Sequence, residues 1–399
     1  MVHPLDVLLV LRSCAEHYPP TVSQANLLAE HGLRIGMIDL SAGDAVDALH
    51  ASIRRWRVHR MWNSKAEAPY PFWKRWIHWL RFFQTCRSVM RSAQPRVVIA
   101  YDTLGIAFVP PVPGRHRTVY HFHELPEPDP REGPGPTRAR AKTARFARRS
   151  DLIVFSDATR ARMYQESIGL KERPLTVMNC PRRLQQVPNS RLRQRLATHS
   201  QLSTLNSQPL VCYLGSIGAD HGLVEAAASM KHWRAGAILV LIGPASDAMK
   251  NGIRQAAAAT PGAAERVAFL GAFPHSEALA LAAGADLGIS LIQPNTQNWL
   301  YSAGAINKRF EYMALGLPQV SNEGPGVADI LERSGCGVCV DPNQPQAIGQ
   351  AVGQLLEDLP RRRAFSTNAR ACHLQTFNYE FQFAEVAAWI RAQCMEEGR

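Results

Sequence analysis

The sequence predicts an α/β protein with two Rossmann-like domains. Strand-like apolar runs alternate with helical patterns in both halves of the chain, which is the signature of parallel sheets wound with helices. A polar stretch from Arg182 to about Gln208 separates the halves and suits an interdomain linker. A length of 399 residues is ample for two packed domains. We therefore expect a first domain within residues 1–200 and a second within residues 205–377.

The composition is ordinary for a soluble globular enzyme. Hydrophobic residues make up 46% and charged residues 20% of the chain, which excludes the disordered and fibrous classes. The formal net charge of +12 predicts an anionic partner. Nucleic acid, an anionic membrane surface and a phosphorylated substrate all fit that charge.

The first domain is expected to begin with a strand and not with a signal peptide. Asp6 leads directly into an apolar run, without a basic region or a cleavage site. No apolar run approaches the roughly 20 residues that span a bilayer, so any membrane contact should be peripheral. Pro19 and Pro20 stand where a dinucleotide-binding turn has glycines, which excludes a nicotinamide or flavin site. The predicted strands are 7–11, 35–40, 97–101, 118–122, 152–155 and 175–178.

Residues 54–91 are basic and hold five of the eight tryptophans. Helical spacing predicts an apolar stripe made of Trp73, Trp76, Ile77, Leu80 and Phe83. The opposite, polar face is predicted to hold Lys74, Arg75, His78, Arg81 and Ser88. Such a helix either lies in the headgroup layer of an anionic membrane or packs on the sheet. Further aromatic residues outside the stripe favour contact with a membrane or a lipid acceptor; they are Trp56, Trp62, Trp79 and Phe82.

His123 and Glu124 follow the strand 118–122 directly. Open α/β sheets bind ligands at the carboxyl ends of their strands, so both residues are candidates for a site. A single histidine is more often structural, and its role depends on the wider pattern. The basic helix 138–149 either presents a solvated face or helps to hold an anionic acceptor.

The second domain begins with a strand at 210–214 and a glycine-rich turn, Gly215 to Gly222. Such a turn lets phosphate groups approach the backbone closely. Further strands are predicted at 238–242, 267–270, 287–291, 319–320 and 338–340.

A helix that begins near Gly304 and is closed by Gly316 carries a cation and a carboxylate close to its N-terminus. Lys308 at a helix start could bind a diphosphate, and Glu311 one turn later could accept hydrogen bonds from a ribose. The alternative is an amphipathic helix with a solvent-facing Lys/Glu pair.

This helix and three other segments resemble family 4 retaining glycosyltransferases, especially those that build bacterial surface polysaccharides. The run 307–318, Asn-Lys-Arg-Phe-Glu-Tyr-Met-Ala-Leu-Gly-Leu-Pro, resembles the family's signature, and Phe377-Asn378-Tyr379-Glu380 resembles its closing Phe-x-Trp-Glu. His123-Glu124-Leu125-Pro126-Glu127 resembles a second family segment, and Asn179-Cys180-Pro181 matches its Asn-x-Pro exit from the first domain.

The resemblance implies a GT-B fold, in which the two domains face each other across a cleft and a C-terminal helix, here within 378–399, crosses back to the first domain. It implies that His123 lies against the transferred sugar and the acceptor, and that the base packs on Phe273. The expected donor-binding residues are Gly215, Ser216, Gly218, His221, Phe273, Asn307, Lys308 and Glu311. The expected acceptor-side residues are Glu124, Trp73 and Trp76.

Three positions depart from the family pattern. Ser216 and His221 stand where two cations usually contact the diphosphate, so this chain should depend more on Lys308 and backbone amides. Ala303 replaces the first of the family's paired glutamates, which excludes a carboxylate nucleophile at that position.

We therefore expect a glycosyltransferase that moves a sugar from a nucleotide-diphosphate sugar to a lipid-linked or cell-envelope glycan, with retention of configuration. No metal or cofactor is expected, because the sequence has no Asp-x-Asp and family 4 enzymes act without metal. The scattered cysteines suit a reducing cytoplasm, and Cys336-x-x-Cys339 lacks the second pair that a zinc site needs. The protein should lie in the cytoplasm, in part on the inner face of the cell membrane. The alternative is a non-catalytic protein that binds nucleic acid or an acidic polymer, although nucleic acid is the less expected partner.

Overall fold

The computed structural model describes residues 4–41, 49–59, 72–128, 134–198 and 208–395. The chain divides into two compact units. The first is made of Met1–Met178 together with Gln382–Arg399, and the second is Asn179–Phe381.

The strands are β1 (Val7–Val10), β2 (Ile35–Ser41), β3 (Arg54–His59), β4 (Val97–Tyr101), β5 (Arg117–Phe122), β6 (Leu152–Phe155), β7 (Leu175–Thr176), β8 (Leu210–Leu214), β9 (Ile238–Ile242), β10 (Val267–Gly271), β11 (Leu287–Ser290), β12 (Gln319–Asn322) and β13 (Gly337–Val340). The helices are α1 (Pro19–Glu30), α2 (Phe72–Ala93), α3 (Asp102–Ile106), α4 (Pro134–Ala147), α5 (Ala158–Ile168), α6 (Leu192–Ala197), α7 (Leu223–Ala228), α8 (Asp247–Ala257), α9 (His275–Ala282), α10 (Gln297–Leu300), α11 (Asn307–Leu315), α12 (Val327–Leu331), α13 (Pro345–Glu357), α14 (Leu359–Gln375), α15 (Tyr379–Gln382) and α16 (Ala384–Met395).

Each unit has a parallel sheet of its own. Within the described residues, the strand order is β3-β2-β1-β4-β5-β6-β7 in the first unit and β10-β9-β8-β11-β12-β13 in the second. Val7 of β1 lies beside Ile35 of β2 on one side and Val97 of β4 on the other. The central strands are buried along their whole length, as parallel strands covered on both faces require. The prediction of two Rossmann-like domains is confirmed.

The C-terminal helix also follows the prediction, because α16 belongs to the first unit. Its buried face is made of Val386, Ala387 and Ile390, together with the preceding Phe383. Arg96 donates a hydrogen bond to the carbonyl of Cys394, and the Cys394 thiol lies 3.7 Å from the carbonyl oxygen of Asp6. These contacts join α16 to the start of β1 and β4.

The segment 54–91 differs from the prediction in two ways. Residues 54–59 form strand β3, which pairs with β2 and is absent from the predicted strands. In α2 the core-facing residues are Phe82, Cys86, Val89 and Ala93, whereas Trp76, Leu80 and Phe83 of the predicted stripe are 60%, 39% and 42% exposed. The helix has two apolar rows, and the sequence does not tell which of them meets the sheet. His78, predicted on the polar face, is buried.

The predicted linker is also partly structured. Residues 182–198 belong to the second unit, where Leu192 and Leu196 of α6 are fully buried against β8 and β9. Because polar residues surround these two leucines, the sequence pattern does not mark them as core residues. The chain passes between the units at Met178 and Asn179, beside the Asn-Cys-Pro segment.

Candidate functional site

Helix α11 is fixed under the second sheet by its own buried side chains. Gly316 adopts the left-handed conformation with φ of 67° and ends the helix, as the sequence predicts. Tyr312 is fully buried, accepts a hydrogen bond from Leu214 N–H at 3.1 Å and donates to the Ile289 carbonyl at 3.0 Å. Tyr312 thereby ties α11, which starts at Asn307, to the carboxyl ends of β8 and β11.

Lys308 lies at this helix start, beside the glycine-rich turn that follows β8. Its Nζ is 4.9 Å from the centroid of the Tyr213 ring, and a Cβ built on Gly215 would lie 3.5 Å from the Lys308 Cε. Gly215 has a φ of 122°, which only glycine adopts readily. Burial lowers the pKa of Lys308 to about 8, and the Arg309 charge adds to this effect against the opposing Glu311 charge. The structure therefore brings Lys308 and Gly215 together.

His221 does not replace the missing cation of the turn. Gly218 N–H donates to His221 Nδ1 at 3.0 Å, so the imidazole closes the turn on itself. Burial and the Lys308 charge lower the pKa of His221 to about 3, which leaves the ring neutral at neutral pH. Ser216 is exposed, and its carbonyl accepts a hydrogen bond from the Tyr213 hydroxyl at 2.7 Å. Of Lys308, His221 and Ser216, Lys308 is therefore the residue that brings a positive charge to this turn.

Glu311 lies one helical turn after Lys308 and is 6% exposed. Its Oε1 is 2.7 Å from Nε2 of His275, the first residue of α9. Asn307, the first residue of α11, is partly buried. Phe273 is partly buried against the apolar cluster that includes Leu192 and Leu196 of α6.

Arg309 is a site residue that the sequence reasoning missed. Its side chain is fully buried and donates to the Ser302 carbonyl at 2.8 Å and to the Asn322 side chain at 2.6 Å. It also lies 3.4 Å from the carbonyl of Ala303. The signal was available, because Arg309 is three residues after Ile306 and four before Met313, both on the buried face. This guanidinium holds the loop that leads into the helix.

In the first unit, His123 lies at the carboxyl end of β5 with both ring nitrogens in contact with polar groups. Nδ1 is 2.9 Å from Asp102 Oδ2, and Nε2 is 3.0 Å from Thr21 Oγ1. Because a carboxylate only accepts hydrogen bonds, Nδ1 carries a proton. In the neutral ring, Nε2 then accepts from the Thr21 hydroxyl.

Asp102 reaches His123 through an uncommon backbone conformation. Its φ is 49°, in the left-handed region that non-glycine residues rarely occupy. The same carboxylate accepts the backbone N–H of His123 at 2.8 Å. Strain of this kind persists where surrounding contacts enforce it, and it concentrates at functional sites.

The other acceptor-side candidates are placed differently. Glu124 is exposed next to His123, and desolvation of its carboxyl group together with the Asp102 charge raises its pKa. Trp73 lies in the first turn of α2, and Trp76 lies on the exposed side of that helix. The described residues contain no group of three His, Cys, Asp or Glu that could hold a metal ion, and no helix among them could span a membrane.

Comparisons with known proteins bear on the fold of the chain and on its second unit. Residues 208–358 match the family model described as Glycosyl transferases group 1. Sucrose-phosphate synthase from Thermosynechococcus elongatus superposes with a TM-score of 0.70 at 15% identity, over 98% of this chain and 99% of that one. HepE of Anabaena, solved in complex with UDP and glucose, superposes with a TM-score of 0.70 at 14% identity, over 97% and 100%. WaaG, a glycosyltransferase involved in lipopolysaccharide biosynthesis, superposes with a TM-score of 0.66 at 15% identity, over 96% and 99%.

No curated protein matches the sequence. At identities of 11–15%, the structural likeness defines the fold, and the family match locates the related region in the second unit. The chain therefore has a GT-B fold, and residues 208–358 of its second unit match the glycosyl transferases group 1 model.

Proposed function

We propose that this protein is a metal-independent glycosyltransferase that uses a nucleotide-diphosphate sugar as donor. The observation that carries the proposal is the position of Lys308, at a helix N-terminus beside the Gly215 turn, with the buried Glu311 carboxylate one turn further on. A cation, backbone amides and a carboxylate in this order match the diphosphate and the ribose of a nucleotide sugar. A solved neighbour in complex with UDP-glucose supports the same donor class.

Lys308 would stabilise the leaving diphosphate as negative charge develops on it. A placed cation at a helix N-terminus performs this role without reorganisation during the reaction. Because His221 is neutral and Ser216 carries no charge, the turn itself adds only dipoles. We propose that this chain needs no cofactor or metal beyond its nucleotide-sugar substrate.

His123 would orient the acceptor hydroxyl and the transferred sugar, and it would not attack the sugar. Asp102 and Thr21 hold the ring in one tautomer and one orientation, which a positioning role requires. Ala303 leaves no carboxylate nucleophile at its position, so we propose that transfer with retention depends on placed hydrogen-bond donors and cations.

The proposed acceptor is a lipid-linked or cell-envelope glycan reached from the cytoplasmic face of the membrane. Trp76, Leu80 and Phe83 form an exposed apolar row on α2, and Arg81, Arg87 and Arg91 are exposed on the same helix. Apolar side chains flanked by cations suit the headgroup layer of an anionic leaflet. A neighbour involved in lipopolysaccharide biosynthesis supports this acceptor class.

The proposal is tested by measuring nucleoside diphosphate release from UDP-, GDP- and ADP-sugars. We expect slow hydrolysis of one donor, and we expect Lys308→Ala and Glu311→Ala each to weaken donor use by about 10-fold or more, the loss of one charge-assisted contact. Lys231→Ala removes an exposed lysine of the same unit and serves as the control. A protein that neither hydrolyses nor is thermally stabilised by any of these donors would instead fit the non-catalytic binding protein.

A further inference from the structure

We propose that His275 is a positioning residue for nucleotide recognition, which holds the Glu311 carboxylate in place for the ribose hydroxyls of the donor. The inference rests on the proposed function and adds a residue to that site. It starts from one contact, the 2.7 Å distance between His275 Nε2 and Glu311 Oε1.

Glu311 has one oxygen engaged and the other available. A buried carboxylate needs hydrogen-bond donors to offset its desolvation. In the described part of the chain, His275 supplies such a donor to Oε1, and no described residue donates to Oε2. The imidazole therefore fixes the carboxylate without occupying both of its oxygens. The free oxygen is the one that a ribose hydroxyl would reach.

His275 joins two elements of the candidate site. It is the first residue of α9, which follows the turn after β10, and it bonds to a residue of α11. Burial disfavours the imidazolium, but the hydrogen bond to Glu311 and its charge outweigh burial and raise the pKa of His275. The Nε2–H group donates in the cationic ring and in one neutral tautomer, so the contact does not depend on the charge.

Because the His275 side chain is partly exposed, a substitution there can distinguish a positioning role from a structural one. Its side chain is 43% exposed, whereas that of Glu311 is 7% exposed. Replacing a residue this exposed should leave the fold intact, because surface substitutions rarely change stability much. Any effect on ligand choice would then come from the freed carboxylate.

The test compares binding of a ribonucleotide with binding of its 2′-deoxy counterpart by calorimetry. The probe is whichever of UDP, GDP and ADP binds the unmodified protein most tightly, and its 2′-deoxy form. We expect the unmodified protein to prefer the ribonucleotide by about 10-fold, the effect of one hydrogen bond to a charged group. His275→Ala should reduce this preference to about 3-fold or less, with little change in deoxynucleotide affinity.

Two further variants complete the experiment. His275→Gln keeps an amide donor of similar reach and should restore most of the preference, whereas the neighbouring Ser276→Ala should leave it unchanged. If His275→Ala leaves the ratio of ribonucleotide to deoxynucleotide affinity unchanged, or weakens both nucleotides equally, the role of His275 is overturned and the proposed donor site is not. If the unmodified protein binds none of the three diphosphates, the proposed donor site is overturned, and this inference with it.

Discussion

The pKa of Lys308 makes diphosphate binding depend on pH. Burial lowers this pKa from 10.5 to about 8, so the ammonium is charged below pH 8 and loses its charge as the pH rises above it. The terminal phosphate of a nucleotide is already ionised there, because its second pKa is about 6. We expect affinity for UDP to fall by about half between pH 7 and 8 and by up to about 10-fold per pH unit above pH 8.

Calorimetric titrations between pH 7 and 9.5 measure this directly. Lys308→Arg is the matched control, because a guanidinium keeps its charge throughout the range and should flatten the profile. A flat profile in the unmodified protein would show that Lys308 does not contact the diphosphate.

His123 should affect turnover and not nucleotide affinity. Its ring is held by Asp102 and Thr21 in the first unit, whereas Lys308 and Glu311 lie in the second unit. We expect His123→Ala to lower turnover by about 100-fold or more, the scale of losing a positioned side chain at the reacting group, while the Kd for UDP stays nearly unchanged. Single-turnover kinetics and calorimetry on the same variant check both parts, and equal losses in the two would contradict this division of roles.

Individual site residues were predictable where a local pattern marks them. Lys308 and Glu311 stand in a recognisable run at a helix start, and Gly316 closes that helix by its need for a positive φ. His275 carries no such mark, and Arg309 is marked only by its helical spacing from the buried Ile306 and Met313. Their partners, Glu311 and the carbonyl of Ser302, come close only after the elements pack, and a single sequence does not display contacts of that kind.

Helix α2 provides a prediction at the scale of an element. Its exposed row of Trp76, Leu80 and Phe83 should insert into anionic vesicles, and the nearby arginines should make binding sensitive to salt. We expect the triple change to serine to weaken binding to vesicles that contain anionic lipid by about 10-fold or more. Sedimentation of the vesicles at low and high salt is the measurement.

Phe381→Ser removes an exposed aromatic residue of the second unit and is the control for this test. Equal binding to neutral and anionic vesicles, or no loss in the triple variant, would contradict a membrane role for α2.

Helices and strands were predictable from the sequence where a single hydrophobic pattern runs through the whole element. The central strands are continuous apolar runs, so β4, β6, β8 and β9 fall where the sequence places them. Arg54–His59 carries three arginines in six residues, which conceals an edge strand. The segment containing Arg60 and Trp62 lies outside the described residues.

At the scale of the whole molecule, α16 should be required for the stability of the first unit. Phe383, Val386 and Ile390 are buried there, and each contributes about 1.5 to 3 kcal/mol. Their sum approaches the 5 to 15 kcal/mol that stabilises a typical domain. We therefore expect a chain ending at Phe381 to lose the melting transition of the first unit.

Scanning calorimetry of the truncated chain, with and without UDP, checks this expectation. The second unit should keep its transition and should still be stabilised by the nucleotide. An unchanged first-unit transition would show that α16 contributes little.

The position of α16 also bears on how the protein forms during translation. The second unit is one continuous segment, Asn179–Phe381, whereas the first unit is made of two segments that flank it. A ribosome therefore releases every residue of the second sheet before it releases the helix that completes the first. The first unit emerges earlier and yet finishes later, so its surface near β1 and β4 stays uncovered while the second unit is being synthesised. Nascent chains stalled before Gln382 should for this reason be the ones that recruit chaperones.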